Sequence, residues 1–230
     1  MKTSRSPLRR VLSAMAGLSL AVALPAVAQA PVDKDANYLI YLPSTSPSVD
    51  QLGLINAFGE IGFTVHTMAF AGESQPDYAR RIAKHVHSLI AEGVAPEAIT
   101  VLGAGSGSPI AVLTSAATGH RRVNYALLGE CDRSLKDQYR FRMSGRVIGI
   151  RADSDSGSGS CRPLWQDSPK VSQRQDLVVN SPLADTFFDA PRKEWLQALS
   201  DWSQGGRVDV GNIRVGAVKT PDGSRAGAGN

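Results

Sequence analysis

The sequence predicts an α/β fold, a mostly parallel sheet of about six strands with helices on both faces. Three observations carry that expectation. Short apolar runs alternate with stretches of helical period, the order that crossover helices between parallel strands produce. Most strand candidates are continuously apolar, as strands covered on both faces are. The stretches between them are long enough, about ten residues or more, for a crossover helix to pass from one parallel strand to the next.

Tyr38-Leu39-Ile40-Tyr41-Leu42 is the first strand. Leu52 to Ile61 has the spacing of an amphipathic helix and is closed by Gly62. Phe63 to Phe70, rich in aromatic and β-branched residues, is the second strand. A longer helix follows, with Ser74 or Gln75 at its cap and Pro76 in its first turn, where a missing N–H does no harm. Its Tyr78, Ile82, Val86, Leu89 and Ile90 recur as a buried stripe, and Gly93 ends it. Ile99 to Leu102 is the third strand, running into Gly103-Ala104-Gly105-Ser106-Gly107. Pro109 then opens a helix whose residues 110–117 are nearly all apolar, the mark of a helix buried all round. Val123 to Leu128, Arg146 to Ile150 and Asp176 to Val179 are the remaining strands. Trp195, Leu196, Leu199 and Trp202 mark the inner stripe of a last helix, with Pro191 near its start.

The charge balance excludes one class of partner. The chain has 230 residues, with 25 Lys+Arg, 21 Asp+Glu and a net charge of +4. Lys2, Arg5, Arg9 and Arg10 precede an apolar run from Val11 to Val27, and Ala28-Gln29-Ala30 is a small-x-small cleavage site. These are the three parts of a secretory signal peptide, expected to be cleaved after Ala30. Those four basic residues account for the whole excess, leaving 21 basic and 21 acidic side chains in 31–230. Binding to nucleic acid therefore has no support in composition. No stretch of the mature chain reaches the roughly 18 apolar residues of a membrane span. A periplasmic or secreted protein is expected, with one domain over 31–204. Residues 205–230 hold seven of the 22 glycines and no aromatic residue, and they are expected to form a disordered tail. In an oxidising compartment the isolated pair Cys131 and Cys161 is expected to form a disulfide, worth about 3–4 kcal/mol.

The third strand, its glycine-rich turn and the buried helix make the strand–turn–helix context of a nucleophile elbow. On these residues the chain resembles the α/β-hydrolase superfamily, nearest to small exported bacterial serine hydrolases of the dienelactone-hydrolase type. The resemblance covers residues 37–204, without the family's first two strands. It implies a catalytic triad at the carboxyl ends of the strands, and there the chain departs from the family. In the Gly-x-Ser-x-Gly pattern, Gly103 and Gly107 take the flanking places and Gly105 stands where the nucleophilic serine belongs. Ser106 is one residue late and Ser108 three late. The family's order is serine, acid, histidine, yet His66, His85, His87 and His120 all come too early. The histidine loop of relatives resembles Leu-Gly-His-Gly-Phe-Phe. Here it is Leu183-Ala184-Asp185-Thr186-Phe187-Phe188, with Asp185 at the histidine position. An aspartate, with an ordinary pKa near 3.9, is a poor base for a serine hydroxyl. After the first strand, relatives often carry His-Gly for the oxyanion hole, whereas this chain has Pro43-Ser44-Thr45-Ser46; proline has no N–H, which leaves Ser44 to Ser46 as the available donors. The acid position survives as Asp155, with Asp153 the alternative. Cys131 and Cys161 match a pair retained in relatives, and a bond between them across neighbouring strands would brace the rim of the site.

Competing chemistries are less well served. The turn lacks Gly-x-Gly-x-x-Gly, since Ser108 takes the third glycine's place, and it lacks Gly-Lys-Ser/Thr, so no nucleotide cofactor is expected. A calcium loop opening at Asp153 wants glycine and glutamate where Ser158 and Leu164 stand. His85 flanks the buried stripe of the second helix and His87 points away from it, so they form no metal pair. His66, at the end of the second strand, lies within reach of the rim, but an ordinary hydrogen-bonded histidine is the favoured reading. The expectation is a catalytically degenerate hydrolase fold that binds a neutral or cationic small molecule. The alternative is a residual carboxylic-ester hydrolase using displaced Ser106, with His66 or Asp185 as base. A partner-binding role for 205–230 is the third reading.

Overall fold

The computed structural model describes residues 31–129, 131–154 and 159–208, apart from the side chains of Ala184 and Asp185. The predicted signal peptide, Asp155 and residues 209–230 of the predicted tail lie outside the described residues.

Six parallel strands form one sheet: β1 (Asn37–Leu42), β2 (Phe63–Thr67), β3 (Ile99–Ala104), β4 (Asn124–Leu128), β5 (Ser144–Ala152) and β6 (Lys170–Val179). Their spatial order is β2-β1-β3-β4-β5-β6, and every neighbouring pair is parallel. The longer helices are α1 (Gln51–Glu60), α2 (Gln75–Ala91) and α3 (Ser108–Thr118). Two single-turn helices, α4 (Leu135–Gln138) and α5 (Arg162–Trp165), precede the last helix α6 (Lys193–Ser203).

The period-2 geometry of the strands divides the core in two. Tyr38, Ile40 and Leu42 of β1 join Val101, Tyr125 and Val147 on the face covered by α2 and α3. Leu39, Tyr41, Leu102, Ala126 and Ile148 face the other way, with Phe58 of α1 and Trp195, Leu199 and Trp202 of α6. Each of these two sets fills one face because the central stretches of β1, β3, β4 and β5 carry apolar residues at successive positions. α3 is buried along most of its length, as its mostly apolar sequence predicts. Ser74 caps α2, its side chain accepting from the Asp77 N–H, and Gly119 closes α3 in a left-handed turn at φ 65°.

Several boundaries differ from expectation, each for a local reason. β2 ends at Thr67, and Met68–Phe70 leave the sheet because α2 holds them instead (below). β6 begins at Lys170, six residues before the expected start. Its first half, Lys-Val-Ser-Gln-Arg-Gln, is polar because β6 is an edge strand with solvent beside it, so no apolar run announces it. Val208, which composition places in the tail, is 4% exposed, and Gln175 of β6 bonds both its N–H and its carbonyl.

Cys131 and Cys161 form a disulfide with a Cα separation of 5.0 Å. Cys131 follows β4 and Cys161 precedes α5 after β5, so the bond joins the connections at the carboxyl ends of two adjacent strands. The brace expected from neighbouring strands is present. Among the described residues no helix is long and apolar enough to cross a membrane.

Candidate functional site

In this strand order the chain leaves β1 toward β2 on one side and returns to β3 on the other. The carboxyl ends of β1 and β3 therefore flank a switch point, the place where open α/β sheets bind ligands. The two ends come very close. A Cβ on Gly107 would overlap the carbonyl oxygen of Leu42 at the end of β1, which explains glycine there.

Between β3 and α3 the turn Gly105–Gly107 is a single 3-10 turn. Gly105 has φ +48°, the left-handed conformation that side-chain-bearing residues adopt at a cost. A Cβ at this position would stand 2.9 Å from Ser44 Oγ and 3.1 Å from Ser44 Cβ. The apex of the elbow thus keeps its strained geometry, and the residue there has no side chain.

Ser106 is exposed, and its bonds go to the chain after β1: its Oγ accepts from the Thr45 N–H at 2.9 Å and lies 3.1 Å from Thr45 Oγ1. Ser46 N–H donates to Ser44 Oγ at 3.2 Å. The N–H groups of Thr45 and Ser46, which follow Pro43, are therefore turned to nearby serine hydroxyls. Ser108 is buried and donates to the carbonyls of Gly103 and Leu128 at 3.0 and 3.3 Å, which makes it a fastener between α3, β3 and β4.

The acid loop is partly visible. Asp153 accepts from Ser181 N–H at 2.8 Å, while its own N–H donates to Val179 carbonyl oxygen at 2.9 Å, so it ties the ends of β5 and β6 together. Asp155 lies outside the described residues. Asp185 falls in the 3-10 turn Ala184–Phe188, where only its backbone is described. In the same turn Phe187 and Phe188 are buried, their rings edge-to-face at 5.0 Å, anchoring the loop on the core.

A cavity of about 520 Å³ opens beside the elbow. Its walls are the chain after β1, α1, residues 67–70 after β2, α2 and the start of α3. Ile55, Met68, Phe70, Tyr78 and Ile110 supply an apolar lining, and Ser44, Thr45, Gln51 and Ser106 supply polar groups. None of the lining residues carries a charged side chain or an imidazole. Tyr41 also lines it. The Tyr41 side chain is 1% exposed, its hydroxyl has no hydrogen-bond partner, and burial, reinforced by the charge of Asp189, pushes its pKa up. Volume and lining are those of a small-molecule site.

Three features of the site escaped sequence reasoning. Tyr41 reads as core in any apolar strand. Asp189 accepts from Ser48 Oγ, and its carbonyl takes Asp50 N–H at 2.8 Å, latching the loop before α1 to the loop before α6. His66 is the hydrogen-bonded histidine expected, but its partner was not foreseen: it pairs with His85, Nδ1 to Nε2 at 2.7 Å. The face of α2 that carries Tyr78 and Ile82 also brings His85 toward β2, and that periodicity was the available signal. Among the described residues no cluster of three or more potential ligands could hold a metal ion.

No protein-family model matches the chain, and no curated protein matches it. Solved structures do. One is RedJ, the thioesterase of the prodiginine pathway of Streptomyces coelicolor, in a form with a PEG molecule bound in the active site. It has 11% identity and a TM-score of 0.51 over 79% of this chain and 95% of that one. An acetyl ester-xyloside bifunctional hydrolase from Caldicellulosiruptor lactoaceticus matches at 12% identity and TM-score 0.50, covering 76% of this chain and 84% of its own. Arabidopsis thaliana SOBER1 matches at 9% identity and TM-score 0.50, covering 74% and 98%. The all-parallel sheet and these likenesses show that the chain has the α/β-hydrolase fold. At such identities they show the fold alone.

Proposed function

We propose that this protein is an exported, non-catalytic member of the α/β-hydrolase fold that binds a small molecule in the cavity beside Gly105. One observation carries the reading: the apex of the elbow is a glycine at φ +48°, with no hydroxyl to attack a carbonyl. The histidine count supports it, since none follows residue 120. So does the engagement of the Thr45 and Ser46 N–H groups, because an oxyanion hole needs such donors free; losing one costs about 3–4 kcal/mol in barrier. The uncharged, mainly apolar lining favours a neutral ligand over the cationic one that Asp155 and Asp185 suggest. Fold by itself does not license an activity. Treating the mature protein with a fluorophosphonate probe tests the reading. No adduct is expected, and a stoichiometric adduct on any serine overturns it.

The alternative is a residual carboxylic-ester hydrolase with Ser106 as nucleophile and His66 or Asp185 as base. The place of Ser106 on the cavity wall favours it, and the bond between His66 and His85 weighs against His66 as the base. Ser106→Ala would then abolish p-nitrophenyl-acetate turnover, and an unchanged rate sinks this alternative.

Export rests on the pattern of residues 1–30 and is supported by the disulfide. N-terminal sequencing of the protein from a periplasmic or culture fraction should begin at Pro31. Material retained in the cytoplasm with Met1 intact overturns it.

A further inference from the structure

Of the cavity wall made by residues 67–70, Thr67 ends β2 opposite Tyr41, while Met68–Phe70 lie beyond the sheet. They are held by α2. Tyr78 donates its hydroxyl to the Met68 carbonyl, Arg81 donates to the Ala69 carbonyl at 2.7 Å, and His85 bonds His66 at 2.7 Å. Positions 78, 81 and 85 are three and four residues apart and so lie on one face of the helix. The histidine pair sits at the base of this row, one residue before the wall begins.

The geometry of the pair defines its chemistry. The ring centroids are 5.0 Å apart and the facing nitrogens 2.7 Å. The difference is two ring radii, so the two nitrogens point straight at one another along the line of centres. One nitrogen must carry the proton and the other the lone pair. A shared metal ion would need both lone pairs to converge on a third point, and this in-line arrangement leaves no such point.

Three protonation states follow. With both rings neutral, one N–H donates to its neighbour. With one added proton the bond persists and becomes charge-assisted. With two, a pair of N–H groups and two positive charges confront each other, and the bond cannot form. The surroundings oppose the charged states. Burial lowers both pKa values below the usual histidine range, and His66 depresses His85 further, with Glu92, at the C-terminal cap of α2, partly offsetting this. From β1 the ring of Tyr38 lies edge-on to His66 at 5.2 Å, its hydroxyl donating to the Asp33 carbonyl. One turn before His85 on α2, Arg81 is neutralised by Glu73. Of these neighbours Glu92 favours the protonated state of His85.

We propose that His66 and His85 form a proton-operated clasp that holds the cavity wall 67–70 against α2 at neutral pH and releases it when both rings are protonated. The clasp does not depend on what the cavity binds, so it stands or falls apart from the reading above.

Hydrogen exchange of the protein spanning 31–230 tests it, with rates corrected for intrinsic pH dependence. Between about pH 7.5 and a pH at which imidazole 15N shifts show both rings protonated, protection of the 64–70 segment should fall about tenfold or more, while that of β4 holds. In His85→Gln, which keeps a hydrogen-bonding group without a titratable one, protection of 64–70 should not change over that range. An equal loss in His85→Gln, or no loss in the parent, overturns the proposal. A second readout needs no variant: imidazole 15N shifts in the parent should resolve two separated protonation steps that both rings report. Two independent single titrations overturn the shared proton.

Discussion

Replacing Gly105 by alanine asks whether the elbow is as tight as its geometry implies. Two contributions add. An L-residue at φ +48° carries the left-handed penalty, about 1–2 kcal/mol. The new Cβ also meets Ser44 Oγ at 2.9 Å, so Ser44 must turn away and release the bond it accepts from Ser46 N–H. Losing that partly exposed bond adds about 1 kcal/mol. The sum, about 2–3 kcal/mol, corresponds to a drop in melting temperature of about 4–12 °C for a domain of this size. Urea unfolding of the parent, Gly105→Ala, Ser44→Gly and the double variant separates the two contributions. In the Ser44→Gly background the crowding disappears and about 1–2 kcal/mol should remain. A cost below about 0.5 kcal/mol in both backgrounds would refute the left-handed turn. An equal cost in both would refute the contact with Ser44 and leave the turn intact.

Other predictions follow from the packing. Replacing both cysteines by serine should lower the unfolding free energy by about 3–4 kcal/mol, read from urea midpoints, because the bond closes a loop between positions 30 apart. Gly149→Ala should destabilise by about 1–3 kcal/mol with the disulfide formed and by less in the cysteine-free protein, since a Cβ there would overlap Cys161 Sγ. Trp195→Ala should cost about 3–5 kcal/mol, as the fully buried ring meets Phe58 edge-on at 5.9 Å and Phe188 at 6.2 Å. Stability should also fall with pH on account of His66 and His85. Their native pKa values lie below the unfolded value of about 6.5, so the unfolded chain binds more protons below that pH. Unfolding midpoints should therefore drop as pH falls through 6.5 toward the native values, and more in the parent than in His66→Asn/His85→Gln.

How much of the site was legible depends on how each residue is held. The glycine pattern 103–107 reports itself, because sharp turns and close approaches exclude side chains in any context. The position of Gly105 in that pattern carried over directly to the apex of the turn. Ser106 and Ser108 look alike in sequence and differ entirely in place: one lies on the cavity wall, the other is buried under two carbonyls. The start of β6 was invisible because an edge strand need not be apolar, and α4 and α5 are too short to show a period. Tyr41 looked like any core residue, since its missing hydrogen-bond partner is a property of its neighbours.

By itself the sequence determined the order and type of the long elements, the parallel sheet with two covered faces, the glycine at position 105 and the lack of a histidine after residue 120. These are properties of pattern and position along the chain, set by periodicity and by turns that only glycine fits. The pairing of His66 with His85, the latch through Asp189 and the cavity between α1 and α2 were decided by tertiary structure alone. They join residues far apart in the chain, and their partners are chosen by how helices seat on a twisted sheet, which no local pattern encodes.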